Sequence, residues 1–205
     1  MARTMSLRQR YLQLALISVA GGAIYPLVYM RQNFELSMLE AFSISAAELQ
    51  SCYALLGALF VLTYLPSGWL ADRFRLRDLI AGSLIATGLI GIWFATFPPL
   101  DQVRLIFIGW GLSSGLTFWA AMIKAVSLIA PLSSQGRFFG WLEGGRGAVE
   151  ALLASLAVGL FALLLARSEM LVGSALQVVI WLYAGFSIAV AWPVLNWLND
   201  DEASS

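Results

Sequence analysis

Apolar residues run along this chain in long blocks, and the polar positions between them are few and clustered. Six stretches, at about 11–30, 49–71, 79–97, 102–127, 138–166 and 172–195, are dominated by apolar side chains. Each reaches the ~20 residues a helix needs to cross the hydrocarbon core at about 1.5 Å per residue. The second, fourth and fifth exceed that length enough to tilt or protrude. Arg3, Arg8 and Arg10 precede the first stretch, and the small residues Ala20-Gly21-Gly22-Ala23 lie within it, as in a secretory leader. Its apolar run continues through Ile24-Tyr25-Pro26-Leu27-Val28-Tyr29-Met30, too long for a cleaved leader, so a retained helix is expected. The pattern predicts an all-α membrane protein: a six-transmembrane-helix bundle over residues 1–198, then an acidic tail at 199–205.

Composition strengthens that picture and closes off others. Sixty per cent of the residues are hydrophobic and 12% charged, whereas a soluble domain carries ~25% charged residues. Twelve basic residues against twelve acidic ones argue against a nucleic-acid partner and leave the lipid bilayer as the expected surroundings. The chain has no histidine, which removes the commonest proton relay and metal ligand, so neither a metal nor a cofactor is expected. Cys52 is the lone cysteine, best read as a small buried hydrophobe. No nucleophile–base pair is visible, and the chain is not expected to be an enzyme.

Arginine and lysine placement sets the orientation. With a cytoplasmic N-terminus, nine basic residues (Arg3, Arg8, Arg10, Arg73, Arg75, Arg77, Lys124, Arg137 and Arg146) lie inside. Three (Arg31, Arg104 and Arg167) lie outside. That bias predicts a multi-pass plasma (inner) membrane protein with both termini in the cytoplasm. An internal repeat runs beneath the topology. A shift of 93 residues places Gly22, Tyr25 and Arg31 on Gly115, Phe118 and Lys124. The first helix runs outward and the fourth inward, as expected of two three-helix units of inverted topology.

The charge-dense turn Gly68-Trp69-Leu70-Ala71-Asp72-Arg73-Phe74-Arg75-Leu76-Arg77 carries the most specific motif. Three arginines suit any cytoplasmic turn, but Asp72 at a helix end also suits the N-terminus of a neighbouring helix. Gly68, Asp72, Arg73 and Arg77 resemble the loop between helices 2 and 3 of the major facilitator superfamily of transporters. The resemblance implies a gating loop that latches the two transporter halves. Farther up, the run Arg31-Gln32-Asn33-Phe34-Glu35-Leu36-Ser37-Met38, with Tyr25 upstream, resembles helix 1 of the family's organophosphate/inorganic-phosphate antiporter branch. There the arginine meets the substrate's anionic group, and a guanidinium fork suits phosphate or carboxylate. The alternative is an arginine snorkelling at the interface.

Lys124 lies about 9 Å inside the fourth helix's cytoplasmic end, as a topological charge or as a second cation in a cavity wall with Trp119 beside it. The fifth helix opens with Gly136, Gly140 and Gly144, a small-residue stripe that permits close helix contact. Glu143, Arg146 and Glu150 share another of its faces at i, i+3 and i+7. Glu143 and Arg146 read as a structural ion network. Glu150, roughly 20 Å in, reads as a proton or coupling site.

Together these features predict half of a major facilitator fold. By the resemblance, its function is secondary active transport of a small organic anion, a sugar phosphate or sugar acid, by alternating access. The expected substrate-binding residues are Arg31, Tyr25, Trp119 and Lys124. The family has twelve helices, so the expected partner is a second six-helix half: in the same chain, a homodimer mate or a separate chain. The alternative is a non-transporting sensor or accessory scaffold built on the same bundle.

Overall fold

The computed structural model of the chain describes residues 5–168 and 170–199; positions 200–205 of the expected acidic tail lie outside the described residues. Six helical spans among them are long and apolar enough to cross a membrane. They are built from eight α-helical segments: α1 Leu7–Val28, α2 Arg31–Phe42, α3 Ala46–Arg73, α4 Leu76–Phe94, α5 Leu100–Trp110, α6 Trp119–Ile129, α7 Gln135–Ser168 and α8 Val172–Trp197. Ser6 and Ser45 open α1 and α3. Each hydroxyl accepts from the backbone N–H three residues on, and Gln9 or Glu48 accepts the cap's own N–H in return.

The first span is longer than the sequence suggests, because the chain breaks and then resumes as helix. Pro26 inside α1 lacks an N–H, and the helix yields at Tyr29 before α2 continues to Phe42. Tyr53 on α3 holds the break: its hydroxyl donates to the Val28 carbonyl at 3.1 Å and accepts the Arg31 N–H at 3.4 Å. A break inside a membrane is tolerated where such groups take up the freed backbone. Ser43, in the left-handed region at φ 52°, ends α2.

The fourth span is broken too. Between α5 and α6 the chain widens into a π-helical segment, Gly111–Leu116. Serines and threonines pin this weaker stretch to α4: Thr87 meets Ser113 at 2.7 Å, and Ser83 meets Thr117 at 2.6 Å. The Trp110 indole N–H donates to the Thr87 carbonyl at 3.2 Å.

The packing has an approximate two-fold relation. α1 packs along α7 and α8, and the α5–α6 span packs along α3 and α4, while α4 and α8 lie against each other. Gly22 lies so close to α7 that a Cβ there would stand 2.5 Å from Val149 Cβ. Gly115 stands as close to α3, where a Cβ would meet the Phe60 ring at 2.6 Å. These glycines are 93 positions apart, the offset of the sequence repeat. Tyr25 and Phe118, offset equally, meet edge-to-face with ring centroids 6.3 Å apart. Residues related by a two-fold touch each other only near its axis, so both broken spans lie at the centre.

Both described ends of the chain lie at one end of the bundle. The Gln13 amide donates to the Trp197 carbonyl at 2.7 Å, and Arg10 donates to the Ile129 carbonyl at 2.5 Å. At the other end Gln177 donates to Ala95 at 2.7 Å, and Phe42 stacks on Phe94 at 4.4 Å. Two apolar clusters fill these two ends, and Tyr29 and Phe186 touch both. α3 and α7 are the least covered spans. Gly136, Gly140 and Gly144 face open space rather than another helix of this chain, so the glycine stripe makes no internal contact among the described residues.

Candidate functional site

Where the two broken spans meet, a cavity of about 570 Å³ opens between the clusters. α1 and its break contribute Tyr25, Pro26 and Tyr29, and α2 contributes Gln32 and Asn33. Phe60 and Tyr64 come from α3, Ser114 and Gly115 from the π segment, and Trp119 from α6. α7 supplies Arg146, Glu150 and Ala154, and α8 supplies Tyr183. Aromatic walls with a few convergent polar groups are the usual make-up of a small-molecule site.

Arg146 is the charged centre of this wall. Its guanidinium carbon sits 5.5 Å from the Tyr25 ring centroid and 5.7 Å from that of Trp119, within cation–π range of both. The side chain donates to Glu143 at 2.6 Å and lies 3.7 Å from Glu150. Arg146 Nε and Glu150 Oε1 are buried and have no hydrogen-bond partner. Three charged groups on one helix face thus leave one net negative charge and one unfilled donor–acceptor pair beside the cavity.

The structure brings Tyr25, Trp119 and Glu150 together at this wall and adds Arg146, which sequence reasoning assigned to an ion network alone. Arg31 and Lys124 are not among the lining residues. Arg31 stacks over the Tyr53 ring with its guanidinium carbon 4.8 Å from the centroid. Lys124 reaches the end of α3, where Nζ bonds Asp72 Oδ1 at 2.8 Å and the Ala71 carbonyl at 3.0 Å. An expected cavity cation is therefore the ion-pair partner of an expected gating residue. In the same turn Arg73 covers the Trp69 ring at 4.3 Å, Arg77 lies 3.6 Å from Asp78, and Gly68 faces open space. Asp78, in the first turn of α4, is the acid seated at a helix N-terminus.

Tyr29, Gln32, Asn33, Phe60, Tyr64, Ser114 and Tyr183 were not singled out from sequence. Only Gln32 and Asn33 carried a signal, as polar neighbours of Arg31 just past the proline.

The family model described as Major Facilitator Superfamily matches residues 12–205. The chain belongs to the major facilitator superfamily. This facilitator chain is 37% identical to the inner membrane protein YqcE of Escherichia coli (strain K12) over 139 residues, 68% of the chain and 33% of YqcE. It is 28% identical to the inner membrane protein YihN of the same strain over 198 residues, 95% of the chain and 45% of YihN. A Mycoplasma pneumoniae protein, the uncharacterized MG294 homolog, is 27% identical over 152 residues, 69% of the chain and 32% of that protein. The chain thus spans less than half the length of these relatives. Six spans long and apolar enough to cross a membrane fit that membership.

Proposed function

We propose that the chain forms one half of a secondary transporter that moves a small organic anion, a sugar phosphate or sugar acid, by alternating access in the inner membrane. The observation that carries this reading is the aromatic cavity at the junction of two broken spans. Broken helices around a midplane site, in repeats of inverted topology, are the architecture that alternating access uses. Arg31, beside Gln32 and Asn33 at the cavity's edge, is the cation available to the anionic group. Glu150 is the coupling carboxylate, since its ion-pair partner among the described residues is an arginine the solute would also engage. The Asp72–Lys124 pair, with Gly68, Arg73 and Arg77 around it, is the gate at the end of the bundle that holds both described termini. A second six-helix half completes the cavity.

Ligand binding to the purified protein, assembled with its second half in lipid nanodiscs, tests the anion reading. Arg31→Ala should weaken gluconate and glucose 6-phosphate by two to three orders of magnitude, matching the ~2–5 kcal/mol lost when one desolvated charge partner is removed. Arg31→Lys should fail nearly as badly, because a point charge cannot reproduce the planar fork. Unchanged affinity in Arg31→Ala would leave Arg31 as the residue that caps the break over Tyr53.

A second reading follows from the net negative charge of Glu143, Arg146 and Glu150: a neutral polyol as solute, for which glucose should bind as well as its phosphate.

A further inference from the structure

We infer that the Arg146–Glu150 pair is a hydroxyl-recognition subsite, which holds the polyol part of the solute against Trp119 and Tyr25. The inference rests on the transport reading above and assigns the two ends of the solute to different parts of the wall. Arg146 Nε–H is a buried donor without an acceptor, and Glu150 Oε1 is a buried acceptor without a donor. Buried groups of this kind are costly when left unsatisfied, so a wall that keeps two in one ion pair gains by receiving a matching ligand. Both belong to one ion pair, since another nitrogen of the same guanidinium lies 3.7 Å from that Oε1.

A group that fits must accept from Nε–H and donate to the carboxylate at once. A hydroxyl does both, and adjacent hydroxyls do so with better reach. A phosphate or carboxylate oxygen accepts from Nε–H but meets Glu150 as a like charge. The charge therefore excludes the anionic end of the solute from this spot. Glu143 reinforces the exclusion: it bonds a terminal nitrogen of the guanidinium at 2.6 Å and adds a second negative charge. The rings bear on the same point. Tyr25 and Trp119 meet at 72° with centroids 6.4 Å apart, and both lie within 6 Å of the guanidinium carbon. They offer the C–H face of a polyol an apolar wall beside the polar pair.

The test varies the ligand first, so that protein folding is not in question. With the purified protein, assembled with its second six-helix half in nanodiscs, isothermal titration compares gluconate with hexanoate, which has the same charge and chain length without hydroxyls, and includes glucose and inorganic phosphate. Gluconate should bind at least tenfold tighter than hexanoate. Glu150→Ala and Arg146→Met should abolish that ratio while the affinity for inorganic phosphate stays within threefold. Equal binding of gluconate and hexanoate overturns the subsite and leaves the anion reading standing. Binding of glucose but not phosphate supports the subsite and removes the anion reading. If none of the four binds, the subsite is wrong and these vacant atoms hold only water.

Discussion

Lys124 Nζ bonds both the Asp72 carboxylate and the Ala71 carbonyl, so the chain's sole lysine ties the end of α3 to α6. The partners are 52 positions apart, and only the packing of the second span on the fourth brings them together. Sequence gave each residue a plausible role but no sign of the pairing, because the rotation of a helix about its axis is not written in apolar length. Arg146 is the converse case. Its i, i+3, i+7 spacing with Glu143 and Glu150 was legible, but its place between Tyr25 and Trp119 depends on how closely α7 approaches α1. The Asp72 side chain is 72% exposed against 26% for Lys124, so water screens the pair. A double-mutant cycle of Asp72→Asn and Lys124→Met on unfolding in detergent should therefore give a coupling of only ~0.2–1 kcal/mol. A value well above 2 kcal/mol would mean that the end of α3 is dry and the contact a structural clamp.

At the scale of the helices, close approach separates glycines that matter for packing from glycines that do not. A Cβ on Gly22 would stand 2.5 Å from Val149 Cβ and 2.8 Å from the Arg146 carbonyl; one on Gly115 would stand 2.8 Å from Thr63 Oγ1. Alanine at either site must push two spans apart, and overpacking of this kind typically costs ~1–3 kcal/mol. Alanine also improves helix propensity by up to ~1 kcal/mol. At Gly140, where the space is open, only that gain applies. Gly22→Ala and Gly115→Ala should thus lower the Tm of the purified chain, and Gly140→Ala should leave it unchanged or raise it. Equal Tm values for all three would show that α1 and α7 do not touch at Gly22. The six spans themselves were legible, because apolar length is a property of composition alone. The breaks were legible only in part. Pro26, which lacks an N–H, is a mark of the first, but the charged residues Arg31, Glu35 and Glu40 hid the helix that resumes after it. The π segment was hidden because its Gly-Leu-Ser-Ser-Gly-Leu sequence suits an ordinary membrane helix equally well, and the widening depends on partners in α4.

For the molecule as a whole, the exchange relation between the first three and last three spans fixes which loops share a side. An inverted repeat with six crossings returns the chain to its starting side, as the contact of Gln13 with Trp197 and Asn199 requires. The turn at Phe74–Arg75 and the Pro131–Ser134 connection belong to that end, since Asp72 bonds Lys124 and Arg10 bonds the Ile129 carbonyl. Ser43 and Asp101 belong to the other, with Phe42 on Phe94 and Gln177 on Ala95. Among the described residues Arg8, Arg10, Arg73, Arg75, Arg77 and Arg137 flank the first end, whereas Arg104 flanks the second. By the positive-inside rule, such an excess predicts a cytoplasmic first end. Single cysteines at Arg75, Ser133, Ser43 and Asp101, each in a Cys52→Ala background, turn this into a measurement in intact cells. An impermeant thiol reagent should label the Ser43 and Asp101 positions from outside and reach the Arg75 and Ser133 positions only after permeabilisation. The two pairs exchanged would preserve the bundle and reverse its orientation, against the charge bias. Ser133 and Asp101 labelled from one side would break the six-span topology, because the broken fourth span would then not cross.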